Sequence, residues 1–168
     1  SEKAFEKVVK KVRYPFILKP VFGLSGRNVH LVRNKHHFNE TLYNVDFDKE
    51  IMMVQNLIKF KKLVRVIIIG DEPVCAVYDT PDKEFKASVC ANYNVKPYKL
   101  NSELIEIALK VKNQARCDIG FIDLFEDKNN NYIFNEVNRK CSLFHVDKAC
   151  KTNLAKKIVH YLVKEAKR

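Results

Sequence analysis

The chain has 168 residues, 46% of them hydrophobic, with 31 Lys and Arg against 20 Asp and Glu and a formal net charge of +11 at pH 7. That length supports one domain with a real core or two small lobes. No apolar run reaches membrane-spanning length, and Ser1-Glu2-Lys3 leads into a charged amphipathic segment rather than a signal peptide, so no membrane partner is expected. The positive charge is dispersed: Lys59–Lys62 and Lys164–Arg168 are short and no nucleic-acid motif accompanies them. Nucleic acid is therefore an unlikely partner, and anionic small molecules suit the charge. The five Cys form no CxxC pair and are odd in number. That argues against a disulfide scaffold or a zinc site, and for free thiols in a cytoplasmic protein.

In chain order, Phe5, Val8, Val9 and Val12 have helical spacing over Ala4–Val12, which Pro15 ends. Phe16–Lys19 reads as a strand, Phe22–Asn28 as a loop with Gly23 and Gly26, and Val29–Val32 as a returning strand. A short helix over Lys35–Asn44 and a strand over Ile51–Gln55 follow. Lys62–Ile69 and Pro73–Tyr78 are strands joined by the Gly70-Asp71-Glu72 turn. Thr80–Asn94 has no clear period. Asn101 or Ser102 caps a helix whose apolar stripe is Leu104, Ile107, Ala108, Val111 and Ala115. Arg139–Lys151 reads as a loop, and Thr152 as the cap of a last helix, Leu154–Lys164, with Leu154, Ile158, Tyr161 and Leu162 inward. Helices and antiparallel hairpins interleave without βαβ regularity, so the fold class is α+β.

The most informative stretch is Gly120–Asn138, GFIDLFEDKNNNYIFNEVN. Gly120–Glu126 and Tyr132–Asn138 are strand-like, and Asp127–Asn131 suits a hairpin turn because Asn tolerates the left-handed backbone. With the turn centred between Asn129 and Asn130, Asp123 lies opposite Glu136 and Asn138 shares their face. Ile122, Leu124, Ile133 and Val137 fall on the other face. Two opposed carboxylates repel unless a cation lies between them. Carboxylate and amide oxygens suit a hard ion, Mg²⁺ or Mn²⁺ rather than Zn²⁺. The other reading is a solvated hairpin face that happens to carry two acids.

GFIDLF followed by NEVN resembles the metal-binding signature of the ATP-grasp superfamily, in which an Asp and then Glu-x-Asn hold Mg²⁺ against nucleotide phosphates. Tyr14–Val32 (YPFILKPVFGLSGRNVHLV) resembles that family's lysine strand and Gly-containing phosphate loop. VQNLI followed by VRVIIIGDEPVCAVYD resembles its hinge and next strands. The blocks stand in the family's order from Tyr14 to Lys157, and the nearest branch is the RimK-like amino-acid ligases, relatives of glutathione synthetase. The resemblance implies an ATP-grasp fold of two α+β lobes with antiparallel sheets around a nucleotide site: a small lobe over 1–51 with the lysine strand and Gly loop, and a larger one over 52–168 with hinge and metal hairpin. Relatives carry a further domain ahead of this core, so either the chain is a fragment of a longer protein or substrate binding differs.

Carried over residue by residue, the resemblance places Lys19, Gly23 and Gly26 at the ATP phosphates. It places Gln55, Asn56 and Leu57 at the adenine, Asp123, Glu136 and Asn138 at the metal, and Arg65 at the acyl-transfer site. Lys86 would hold phosphate and acyl-phosphate. A lysine ending the apolar run Phe16-Ile17-Leu18 needs a charged partner or a route to solvent, and an arginine fork suits a carboxylate or acyl-phosphate. The sequence departs from the family's pattern at Asn56 (commonly Glu), Leu63 (an acid) and Ser88 (Asn). Arg139 and Lys140 either meet an anionic substrate or form a solvated loop. The implied activity is an ATP- and Mg-dependent carboxylate–amine ligase that works through an acyl-phosphate on small carboxylate and amine substrates, with a peptide or protein tail as a further candidate substrate. The alternative is a non-catalytic nucleotide-binding module acting through protein partners.

Overall fold

The computed structural model describes residue 7 and residues 12–22, 28–46, 49–81, 85 and 95–168. Most of the expected helix Ala4–Val12, together with Gly23, Gly26, Lys86 and Ser88, lies outside the described residues. The chain divides into two compact units, Ser1–Lys59 and Phe60–Arg168.

Among the described residues of the first unit, β1 (Phe16–Pro20), β2 (His30–Val32) and β3 (Met52–Asn56) form a three-stranded antiparallel sheet of order β2-β1-β3, accompanied by α1 (Lys35–Tyr43). Alternation along β1 sends Phe16 and Leu18 into a core with Val32, Phe38 and Leu42. Asn34 starts α1 by accepting the His37 amide at 2.9 Å. Met52–Asn56 pairs along the whole of β1 and so belongs to this sheet. The boundary expected after Ile51 therefore falls after Lys59, because the hinge strand is bound by its ladder to the lysine strand.

The second unit is a five-stranded antiparallel sheet of order β6-β5-β4-β7-β8, with β4 (Lys62–Ile69), β5 (Glu72–Asp79), β6 (Lys96–Tyr98), β7 (Ile119–Glu126) and β8 (Tyr132–Asn138). The central run Leu63–Ile69 is buried throughout, as expected for a strand covered on both sides. On one face Val64, Val66, Ile68, Ile122 and Leu124 meet Leu104 and Ala108 of α2 (Ser102–Ala115). Asn101 is the cap of α2, accepting the Leu104 amide at 2.8 Å. On the other face Leu63, Ile67, Ile69, Val77 and Phe121 meet Val146 of α3 (Phe144–Cys150) and Leu154 of α4 (Leu154–Glu165).

Three sequence expectations change here. The loop expected over Arg139–Lys151 contains α3, a helix of 7 residues without a side-chain cap, too short for a visible period. The cap of α4 is Asn153, which accepts the Lys156 amide at 2.9 Å, rather than Thr152. Leu162 is 52% exposed rather than inward, while Ile158 and Tyr161 meet the core as expected.

Candidate active site

The hairpin places its acids as expected. Asp123 pairs with Glu136 and Phe121 with Asn138, so the three oxygen-bearing side chains share one face of β7 and β8. Beyond Asp123 the register slips by one residue, leaving Asn135 as a bulge, and Leu124 pairs with Phe134 and Phe125 with Ile133. Ile133 therefore lies on the Asp123 face and is 36% exposed, not on the core face with Ile122, Leu124 and Val137. The turn closes with Asp127, whose Oδ1 accepts the amides of Asn129 at 2.8 Å and Asn131 at 2.9 Å. Asn130 adopts the left-handed conformation with φ 67°. A three-residue loop ending in a left-handed residue fits such a bulged hairpin.

Arg65 stands on β4 directly opposite Asp123. Its Nε and Nη2 each donate to one Asp123 oxygen at 2.6 Å, a bidentate pair with both side chains buried. Its Nη1 donates to Cys141 Sγ at 2.9 Å, and that thiol donates to the Ser142 carbonyl at 3.3 Å. The arginine is thus gripped by β7 on one edge and by the loop after β8 on the other. Asn138 Nδ2 lies between the acids, 3.3 Å from Asp123 Oδ2 and 3.0 Å from Glu136 Oε1.

A hard divalent cation fits this donor set. Two carboxylates and one amide converge, and a partly positive N–H donor already sits between the acids. Turning the Asn138 amide end for end presents its oxygen to the same point. One arginine neutralises only one of the two acids, so a negative charge remains for a cation. Among the described residues no three His, Cys, Asp or Glu side chains gather into a metal cluster. Glu136 is exposed and β8 is the edge strand, which leaves the position open to solvent.

In the first unit, Lys19 pairs with Met53 and Ile17 with Gln55, so Lys19 and Gln55 share the sheet face opposite the Phe16–Leu18 core. Asn56 is exposed at the end of β3, and β3 is an edge strand whose outer backbone edge takes no part in the ladder to β1. Leu57 follows, half-buried. Gly23, Gly26 and Lys86 lie outside the described residues.

Several contacts near the site carried no signal in sequence. Leu63 is core, and directly across from it on β5 stands a buried acid, Asp79, whose Oδ1 accepts the Thr80 amide at 2.9 Å. Glu126, on the opposite face from Asp123, is 2% exposed and holds Lys61 at 2.9 Å, Lys62 at 3.2 Å and the Tyr98 hydroxyl at 3.0 Å. Burial opposes its ionisation, but those three donors outweigh it and hold the carboxyl below the ordinary glutamate range. Lys62 lies 5.0 Å from the ring centroids of Tyr78 and Tyr98, so a cation meets two aromatic faces. Arg139 donates to the Ala115 carbonyl at 3.2 Å and so caps the end of α2. Only the pairing of β4 with β7, a long-range contact, brings Arg65 to Asp123, and no local pattern announces it.

Two units of antiparallel sheet with helices, one bearing Lys19 on its central strand and the other an acid–acid–amide hairpin, define an ATP-grasp protein. The chain belongs to the RimK-like ATP-grasp family, which it matches over residues 1–162. It is 33% identical over 134 residues to the α-aminoadipate–LysW ligase LysX of Saccharolobus solfataricus, covering 77% of this chain and 49% of that protein. It is 27% identical over 172 residues to the glutamate–LysW ligase ArgX of Sulfurisphaera tokodaii, covering 96% of this chain and 60% of that protein. The chain spans about half the length of the first curated relatives it matches. The fold superposes on the ATP-grasp ligase PsnB, solved with a minimal precursor, Mg and ADP, with a TM-score of 0.69 at 17% identity over 100% of this chain and 51% of that one.

Among the described residues no helix is long and apolar enough to cross a membrane.

Proposed function

We propose that the protein is an ATP-dependent carboxylate–amine ligase that uses Mg²⁺ or Mn²⁺ and proceeds through an acyl-phosphate. The observation that carries this reading is the grouping of Arg65, Asp123, Glu136 and Asn138 on one sheet face. Of the two readings drawn from the sequence, ligase and non-catalytic module, the ligase is supported by relatives that are themselves named as ligases.

Asp123, Glu136 and Asn138 would hold the cation, which when bound neutralises charge on the nucleotide phosphates. Lys19, with the backbone at Gly23 and Gly26, would bind those phosphates, and Lys86 would join them at the transferred group. Gln55 and the main chain of Asn56 and Leu57 would hold the adenine along the free edge of β3. The Arg65 fork, fixed by Asp123 and Cys141, would orient the substrate carboxylate and then the acyl-phosphate for attack by the amine. The amine nitrogen forms the new bond to the acyl carbon as phosphate leaves. In such chemistry positioning and electrostatics supply most of the rate, so no protein nucleophile is required. One substrate would be an amino acid and the other the tail of a peptide or protein, a class suggested by a relative named for LysW and by a structural neighbour solved with a precursor peptide. The free thiols of the described cysteines suit a cytoplasmic setting.

The test is a matrix of amino acids and carboxylates, including glutamate-terminated peptides, assayed for ADP release with ATP and Mg²⁺. Release that requires both a carboxylate and an amine, with a product heavier by the amine less water, supports the ligase. No pair raising ADP release above the protein alone would count against it.

A further inference from the structure

The fold brings two thiols together away from the candidate site. Cys75 lies on β5, opposite Ile67, and Cys150 is the last residue of α3. Their thiols lie within reach of each other. The Cys150 thiol also donates to the carbonyl of Ala76, the residue after Cys75, at 3.5 Å. Both are half-buried and flank the core formed by Leu63, Ile67, Val77 and Val146. They are neither sealed from a small oxidant nor loose on the surface.

The other described cysteines are engaged elsewhere. Cys117 is buried and donates to the Lys112 carbonyl, and Cys141 holds Arg65. The two members of the pair are also unequal. The hydrogen bond to Cys150, with burial, pushes the Cys75 thiol up, while the same bond lowers that of Cys150.

We propose that Cys75 and Cys150 form an oxidation-sensitive dithiol that a peroxide closes to a disulfide, stapling the end of α3 to β5. One sulfur of the pair takes one peroxide oxygen to become a sulfenic acid, and the other oxygen leaves as water. The second sulfur then attacks the first and expels the second water. The two thiols lose two electrons and two protons, and hydrogen peroxide is reduced to two waters. Because α3 begins at Phe144, just after the loop in which Cys141 holds Arg65, the staple would fix the far end of the element which that loop enters. The proposal is independent of the nucleotide reading.

The experiment treats the reduced full chain with hydrogen peroxide and maps its cysteines by mass spectrometry without reduction, beside the Cys150→Ser variant. The expected result is one intramolecular Cys75–Cys150 link and an unfolding midpoint that rises on oxidation and falls back with dithiothreitol, since a cross-link restricts the unfolded chain. The variant should form no such link and show no peroxide-dependent rise. Cys75 and Cys150 remaining separately alkylable after peroxide, or linking instead to other cysteines or between molecules, would overturn the proposal.

Discussion

Arg65 on β4 and Asp123 on β7 face each other across neighbouring strands, joined by two bonds of 2.6 Å, with side chains only 4% and 2% exposed. A buried pair of this kind costs desolvation to form, and losing one partner leaves an uncompensated charge. Arg65→Ala is therefore expected to destabilise the protein by about 3–5 kcal/mol, while Arg65→Met combined with Asp123→Leu recovers most of that loss. Urea unfolding of the three proteins measures both effects. A single variant as stable as the wild type would mean that the pair is not closed in solution.

Glu126 is another buried charge, and its position defines a pH dependence. Its carboxyl lies below the ordinary range in the folded protein, burial being outweighed by hydrogen bonds from Lys61, Lys62 and Tyr98. A lowered folded value means that its stabilisation is fully present above the unfolded glutamate range and is lost as pH falls through the lowered value. Glu126→Gln should cost on the order of 2 kcal/mol at neutral pH and flatten the acid limb of the stability curve. Identical acid limbs for the two proteins would refute the assignment.

Gly70 turns the chain between β4 and β5 at φ +63°, and a Cβ there would lie 2.7 Å from Tyr161 Cε2. Gly70→Ala meets both a left-handed backbone cost and the α4 tyrosine. A loss of roughly 1–3 kcal/mol is expected by thermal unfolding, with Tyr161 fluorescence changed. An unchanged midpoint would show that the turn accommodates a side chain.

Lys19 is the charged side chain through which the first unit would engage the nucleotide phosphates. Removing one charge-assisted phosphate contact costs about 1.5–3 kcal/mol, so Lys19→Ala should weaken ATP binding roughly 10- to 100-fold. Adenosine binding should change little, because the base would be held by β3. Equal losses for ATP and adenosine would place Lys19 outside the phosphate contacts.

Much of this was legible in the chain, and the failures have local causes. The Asp123–Glu136 pairing follows from alternation and a turn centre, and it holds as far as Asp123. It then slips because a bulge at Asn135 inserts a residue that hydrophobic period does not mark, which moves Ile133 to the acid face. The short α3 escaped notice because 7 residues and one buried side chain, Val146, make no stripe. Met52–Asn56 was legible as a strand but its lobe was not, since strand partners are a long-range choice. For the same reason Leu63 reads as a simple loss of an acid, although the fold sets Asp79 directly across from it.

The most direct measurement is calorimetric ATP binding, with and without Mg²⁺, on the wild type and on Asp123→Asn combined with Glu136→Gln. Magnesium-dependent binding in the wild type that disappears in the double variant is the expected result. Absence of binding at millimolar ATP, or binding that the variant retains in full, would contradict a metal–nucleotide site at the Asp123–Glu136 hairpin.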